Sequence, residues 1–329
     1  MRPPWKLYPR PRLRHWITSL GLTLVVVTAA LVAWRSRDSQ ASLGSAVAPA
    51  SRIHSAVPLR VTPAPAPAPS PTPEPSSPYP YFVTRAGNVV VMAPGAVSDD
   101  GSYDVLVHFH GVHTALEPAL RQSGLHAVLV VVNVGIGTKA YRERYSVEGM
   151  FDALLRGLRA QIARRRNLPG AHERHVAVSA WSAGFGAVVS LLRQPAVFAR
   201  IDALFLADAL YVAYIDPRRR IPSDQQLAPL VEFAKLAKSG RRLFGLTHTN
   251  VPTVGYSNTA DSAHRLLQLV DLVETPVEAS VASDPSISTR LDQGNLHVLG
   301  FVGADRSAHV HQQWAIGATL WSRLAQRWR

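Results

Sequence analysis

The 329-residue chain has no cysteine. That excludes disulfide staples, thiolate metal sites and a cysteine nucleophile, and it excludes a lipid anchor attached through a processed cysteine. A cysteine-free chain is compatible with an oxidising compartment without requiring one. Lysine is nearly missing: four lysines stand against 31 arginines, a bias of coding rather than of chemistry. No internal repeat is visible, which excludes a solenoid or a propeller. Acidic residues are few, 22 against 35 Lys and Arg, for a net charge of +13. The excess is concentrated at the start, where residues 1–40 hold seven basic residues against Asp38 alone. The rest is thinly spread, so the basic balance does not call for a nucleic-acid partner.

What is present begins with the N-terminus. Residues 1–15 carry Arg2, Lys6, Arg10, Arg12 and Arg14, and residues 16–34 (Trp16 to Trp34) carry no charge. As a helix, that run spans about 28 Å, close to the thickness of a hydrocarbon core. The basic residues before it outnumber Arg35 and Arg37 after it, which orients the N-terminus to the cytoplasm. The length favours a retained single-pass anchor in the inner (cytoplasmic) membrane. A cleaved signal peptide ending near Leu31-Val-Ala33 is the rival, and would give a secreted protein. Either way the remainder is expected in the periplasm or outside the cell. Residues 35–80 are rich in Ala, Ser and Pro and read as an extended spacer.

From about residue 81 short apolar runs alternate with helical patterns. Strands are expected at Val89–Met92, Asp104–His110, Ala127–Asn133, His175–Ser179, Ile201–Ala207, Arg242–Thr247 and Leu296–Val302. The middle runs are continuously apolar, as strands buried on both faces must be. Helices are expected over Ser146–Arg166, with Val147, Met150, Leu154, Leu155, Leu158 and Ile162 on one face, and over 307–328, striped by Val310, Trp314, Leu320, Trp321, Leu324 and Trp328. Such alternation predicts an α/β fold: a doubly wound, mostly parallel sheet with helices on both faces. A small cap is expected between the strands near 207 and 242.

The most telling stretch is His175-Val-Ala-Val-Ser-Ala-Trp-Ser182-Ala-Gly-Phe-Gly186. A buried strand ends at one serine, small residues crowd in, and a helix follows. A nucleophilic serine needs this turn, which lifts Oγ clear of the sheet and aims a helix N-terminus at the reacting group. A serine that merely caps the following helix is the plainer reading. Ala180-Trp-Ser182-Ala-Gly184 resembles the nucleophile elbow of the α/β-hydrolase superfamily, Gly-x-Ser-x-Gly, with alanine at the first glycine.

That resemblance covers roughly residues 80–329 and carries further expectations. His110-Gly111 after an early strand resembles the superfamily's oxyanion loop, which implies that the backbone N–H groups of Val112 and Ala183 hold the oxyanion. The superfamily order of nucleophile, acid, histidine implies Asp208 as the acid, with Asp261 as the alternative, and a late histidine as the base. His309 and His311 both follow the last strand; His309 lies nearer to it. His248 is a weaker candidate. Tyr211, Tyr214 and the segment near 225–238 are expected to shape the substrate pocket. The implied activity is hydrolysis of a small-molecule, lipid or polymer ester, thioester or amide through an acyl-enzyme, with no metal, organic cofactor or stable protein partner.

Two other readings stand beside it. His108, His110 and His113 reproduce the histidine spacing of a metallo-β-lactamase-type zinc site, with Val112 where the aspartate belongs. A hydrolase-like fold kept as a non-catalytic binding module of the cell envelope is the second, since fold does not fix function.

Overall fold

A computed structural model describes residues 81–84 as backbone, and 89–92, 96–278 and 284–329 in full. The expected cytoplasmic segment, apolar span and spacer (1–80) lie outside the described residues. Among the described residues no helix is long and apolar enough to cross a membrane.

In chain order, β1 (Tyr81–Thr84) and β2 (Val89–Met92) are followed by β3 (Ser102–Phe109), α1 (His113–Ser123) and β4 (Val128–Val132). Next come α2 (Thr138–Tyr145), α3 (Met150–Arg166), β5 (His172–Trp181), α4 (Phe185–Leu192), α5 (Pro195–Arg200) and β6 (Ile201–Ala207). A short pair, β7 (Tyr214–Asp216) and β8 (Ile221–Pro222), precedes α6 (Asp224–Lys238), β9 (Leu243–His248) and α7 (Thr259–Gln268). The chain ends with β10 (Thr275–Pro276), β11 (Ile287–Gln293), β12 (Leu296–Phe301), α8 (Arg306–Ile316), a π-helical turn at Gly317–Trp321 and α9 (Ser322–Arg327).

One ten-stranded sheet runs in the order β1-β2-β4-β3-β5-β6-β9-β12-β11-β10. The six strands from β4 to β12 are parallel, and the flanking β1–β2 and β11–β10 pairs are antiparallel. This is the doubly wound, mostly parallel sheet expected. Its centre is buried on both faces: every residue of β3, β4 and β9 is buried. One core lies under α3, α4, α6 and α7, around Phe109, Phe151, Leu204 and Phe233. The other lies under α1 and the C-terminal helices, around Leu106, Leu116, Phe205 and Trp321. The winding reverses between β3 and β5, and such a switch opens a crevice at the carboxyl ends of the strands.

Several expectations shift. The helix predicted from Ser146 begins at Met150, because Gly149 takes a left-handed φ of +76°; Val147 is therefore exposed. The C-terminal helix is interrupted by the π turn, which breaks the 3.6-residue stripe and leaves Trp314 exposed while Leu320, Trp321 and Leu324 stay buried. Gly317 sits in that turn because an added Cβ would lie 2.2 Å from the Ala119 carbonyl oxygen of α1. The expected cap is smaller than predicted. Helix α6 buries Leu227, Leu230, Phe233 and Ala234 in the main core, so only the 209–223 stretch with β7 and β8 stands apart from the layers.

Candidate active site

Ser182 follows the last residue of β5 directly and opens the 3-10 turn that leads into α4. Its φ is +50°, a left-handed conformation that a residue with a Cβ rarely adopts. The turn is forced by close packing. A Cβ on Gly184 would sit 2.1 Å from the Phe109 carbonyl oxygen of β3. Gly186 is equally constrained, but by α2 rather than by a strand: its Cβ would meet the Thr138 carbonyl oxygen at 2.1 Å. Ala180, in the place of the first glycine, is fully buried between β3 and β6, where a methyl fits.

Two neighbouring strands end in the same way. His110 after β3 has a φ of +67°, and Asp208 after β6 has a φ of +44°. Asp208 is 1% exposed. Its Oδ1 accepts hydrogen bonds from the Thr249 N–H (3.0 Å), the Thr249 hydroxyl (3.0 Å) and the Thr259 hydroxyl; its Oδ2 accepts from the Thr249 hydroxyl (2.9 Å) and pairs with His309 Nδ1 at 2.6 Å. His309 is brought in by α8, capped by the Asp305 side chain. Its side chain is largely buried.

The competing candidates lie elsewhere. His311 turns to Asp284, with Nε2 2.7 Å from Oδ2. Asp261 binds the Tyr214 hydroxyl and the Arg220 guanidinium (2.8 Å) at the start of α7. His248 pairs with Glu274.

The loop after β3 is held by a two-way clamp. The Gly111 N–H donates to Asn133 Oδ1 at 3.0 Å, and Asn133 Nδ2 donates to the Gly111 carbonyl at 2.7 Å. Val112 follows as the N-cap of α1 and is 56% exposed. Its N–H donates to no acceptor among the described residues, as the first amides of a helix have no intrahelical partner. His108 has no free nitrogen for zinc: Nδ1 meets Ser179 Oγ at 2.9 Å and Nε2 the His110 carbonyl at 3.1 Å. Burial pushes its pKa down to about 3, so it is a neutral core residue. His110 points to the Tyr141 hydroxyl instead, at 2.9 Å. His108, His110 and His113 form no metal-binding group among the described residues.

No family model matches the chain. No curated protein matches it either. Solved structures do. An uncharacterised protein from Capnocytophaga ochracea is 10% identical over 74% of this chain and 63% of its own, with a TM-score of 0.41. An S-formylglutathione hydrolase from Agrobacterium tumefaciens is 14% identical over 74% of this chain and 93% of its own, at 0.38. The siderophore hydrolase EstA from Aspergillus nidulans is 13% identical over 78% of this chain and 99% of its own, at 0.43.

Side chains without a motif complete the site. Trp181, the variable residue before Ser182, stacks on His309 (4.8 Å between centroids, 24° between planes) and on His110 (5.3 Å, 10°), and its Nε1–H donates to the His309 carbonyl at 3.0 Å. Burial, and then the charge of His309, lower the pKa of His110. Tyr211 donates its hydroxyl to the Asp208 carbonyl at 3.0 Å. Burial chiefly, then the Asp208 charge, raise the Tyr211 pKa, while a hydrogen bond with the Ser182 hydroxyl works against the rise. Tyr211 also lines a cleft of about 460 Å3 with Thr138, Arg142, Gln226 and Tyr256. Asn133, Thr249 and Thr259 have no sequence signal beyond standing at element ends.

Proposed function

We propose that the chain is a serine hydrolase that cleaves a carboxylic ester through an acyl-enzyme on Ser182. The observation that carries this reading is the buried Asp208 carboxylate on His309 Nδ1, 2.6 Å apart, together with Ser182 held at a strained turn at the end of the neighbouring strand. Asp208 fixes the Nδ1–H tautomer, which leaves Nε2 free to accept a proton. Ser182 Oγ attacks the ester carbonyl carbon as its proton passes to His309. The carbonyl oxygen becomes an oxyanion, held by the Val112 and Ala183 N–H groups, each contributing about 3 kcal/mol. Collapse expels the alcohol, which takes the proton from His309. A water then repeats the sequence on the acyl group and frees Ser182. The cleft under Tyr211 is where the acyl or alcohol portion would sit, and its mixed apolar and polar lining suits a small ester.

We further propose that this domain works outside the cytoplasmic membrane. The uncharged run 16–34 and the basic residues before it support that placement.

A fluorophosphonate probe tests the catalytic reading on the full chain. Labelling of wild type and none of Ser182→Ala is the expected result. Equal labelling of both would remove Ser182 from its role. A folded protein that takes no label and turns over no short p-nitrophenyl ester would instead be the non-catalytic binding module.

A further inference from the structure

Outside the crevice, three side chains from separate segments converge. His248 ends β9, His264 lies mid-way along α7, and Glu274 precedes β10. Their ligand-type atoms all lie within 4.8 Å of one another. Both Nε2 atoms approach the same carboxylate oxygen, Glu274 Oε2, at 2.9 Å from His248 and 3.4 Å from His264. A tetrahedral ion with bonds of about 2.0–2.1 Å has ligand-to-ligand edges of roughly 3.3–3.4 Å, close to the two histidine–carboxylate spacings.

The surroundings fit an ion site. The second oxygen, Oε1, accepts the Thr289 hydroxyl at 2.8 Å, which orients the carboxylate as an outer-shell partner does. Gly300 of β12 leaves room for the His248 ring: a Cβ there would lie 2.8 Å from its Cε1 and 3.0 Å from its Nε2. His248 and Glu274 are almost wholly buried, whereas His264 is 56% exposed. It opens onto a cleft of about 340 Å3 lined also by Asp261 and Arg265, which gives an entry path and room for a water as fourth ligand.

We propose that His248, His264 and Glu274 bind one divalent cation of the zinc type. Two imidazoles and one carboxylate select Zn2+ and its neighbours over Mg2+ or Ca2+, which take oxygen ligands. The site stands apart from the Ser182 chemistry and does not depend on it. Its role is structural. Thr249, which follows His248, and Thr259, which opens the helix of His264, are the donors that hold the Asp208 carboxylate. An ion joining β9, α7 and the segment before β10 stiffens that cradle.

The test uses the full chain, stripped with chelator and dialysed against Zn2+. Wild type should bind one equivalent more than His264→Ala, a half-exposed change that leaves the fold intact, with affinity at that site lowered by more than about 100-fold in the variant. Zn2+ should raise the melting temperature of wild type and not of the variant. Co2+ in place of Zn2+ should give the visible absorption of a four-coordinate ion in wild type alone. Equal stoichiometry and equal thermal shift in both proteins would overturn the proposal, and so would wild type that takes up Co2+ without those bands.

Discussion

Replacing Asp208 by asparagine swaps one carboxylate oxygen for an NH2 where the acceptor positions are taken. Oδ1 faces the Thr249 backbone N–H, which cannot rotate, as well as two hydroxyls. Oδ2 faces the Thr249 hydroxyl, which can turn, and His309 Nδ1. The amide oxygen therefore stays at Oδ1 and the NH2 is driven toward His309. There it meets an N–H and must donate instead, so the imidazole shifts its proton to Nε2. That nitrogen can no longer accept the Ser182 proton, and the imidazolium formed during attack loses its counter-charge. The expected fall in kcat is about 10⁴-fold, roughly 5 kcal/mol, with KM little changed. The fold should lose only about 1–3 kcal/mol, because shape and most hydrogen bonds survive. Steady-state hydrolysis of p-nitrophenyl acetate, beside urea unfolding of the same preparation, separates the two effects. An Asp208→Asn protein that keeps kcat within about tenfold of wild type would refute the orienting role. His311→Ala, which breaks the Asp284 pair and a ring contact with Phe301, serves as the control with near-normal kcat.

Other outcomes follow from the same geometry. His108 titrates near 3 in the fold against about 6.5 unfolded, so its neutral form is what the fold favours. The stability tied to it is present above pH 6.5 and is lost as pH falls toward 3, of order 5 kcal/mol in all. His108→Gln should flatten the acid limb of a stability–pH curve measured by chemical unfolding, and an unchanged slope would contradict this. Gly186→Ala should lower the unfolding free energy by about 1–3 kcal/mol, seen as a lower denaturant midpoint, since its Cβ meets backbone of α2 that cannot swing aside; an unchanged midpoint would disprove the clash. Trp181→Phe keeps the stack on His309 but loses the hydrogen bond to its carbonyl, so kcat should fall by less than about tenfold, and Trp181→Ala should fall further. Equal kinetics of the two variants would mean that the stack does not position the base.

The parallel centre was legible because its strands are buried on both faces and therefore read as unbroken apolar runs, such as Val128–Val132. β11 was not, since Ile287 and Leu291 are its only apolar residues, too few for a period-2 pattern to show, and only Ile287 is buried. The elbow was legible because steric demands at 184 and 186 admit almost nothing but glycine. Sequence could not separate His309 from His311. Two residues apart on a helix point about 200° away from each other, so one had to leave the site, but which one depends on the rotation of α8 about its axis. That rotation is set by packing against β6 and α1, not by local sequence. Asp261 looked available only because its partners, Tyr214 and Arg220, lie more than 40 residues away. The His248–His264–Glu274 group had no motif for the same reason: its spacing in the chain is a consequence of the fold.

Among the described residues six other than glycine have a left-handed φ, and three of them, His110, Ser182 and Asp208, end the adjacent parallel strands β3, β5 and β6. Each such conformation costs about 1–2 kcal/mol and persists only where surrounding structure over-determines it. Here the over-determination is visible: the Asn133 clamp after His110, the Gly184 contact after Ser182, and the threonine donors on Asp208. Left-handed residues at strand ends turn the chain sharply and present a side chain across the top of the sheet instead of along it. Three in register at the winding switch aim a histidine, a serine and an aspartate at one crevice. A module kept only for binding would gain nothing from a serine in a strained turn or from a buried carboxylate aligned on one imidazole nitrogen. Glycine at 182 would relieve the strain there without harming a binding surface. That Ser182 instead keeps a hydroxyl in this turn favours the proposed turnover over a module kept for binding.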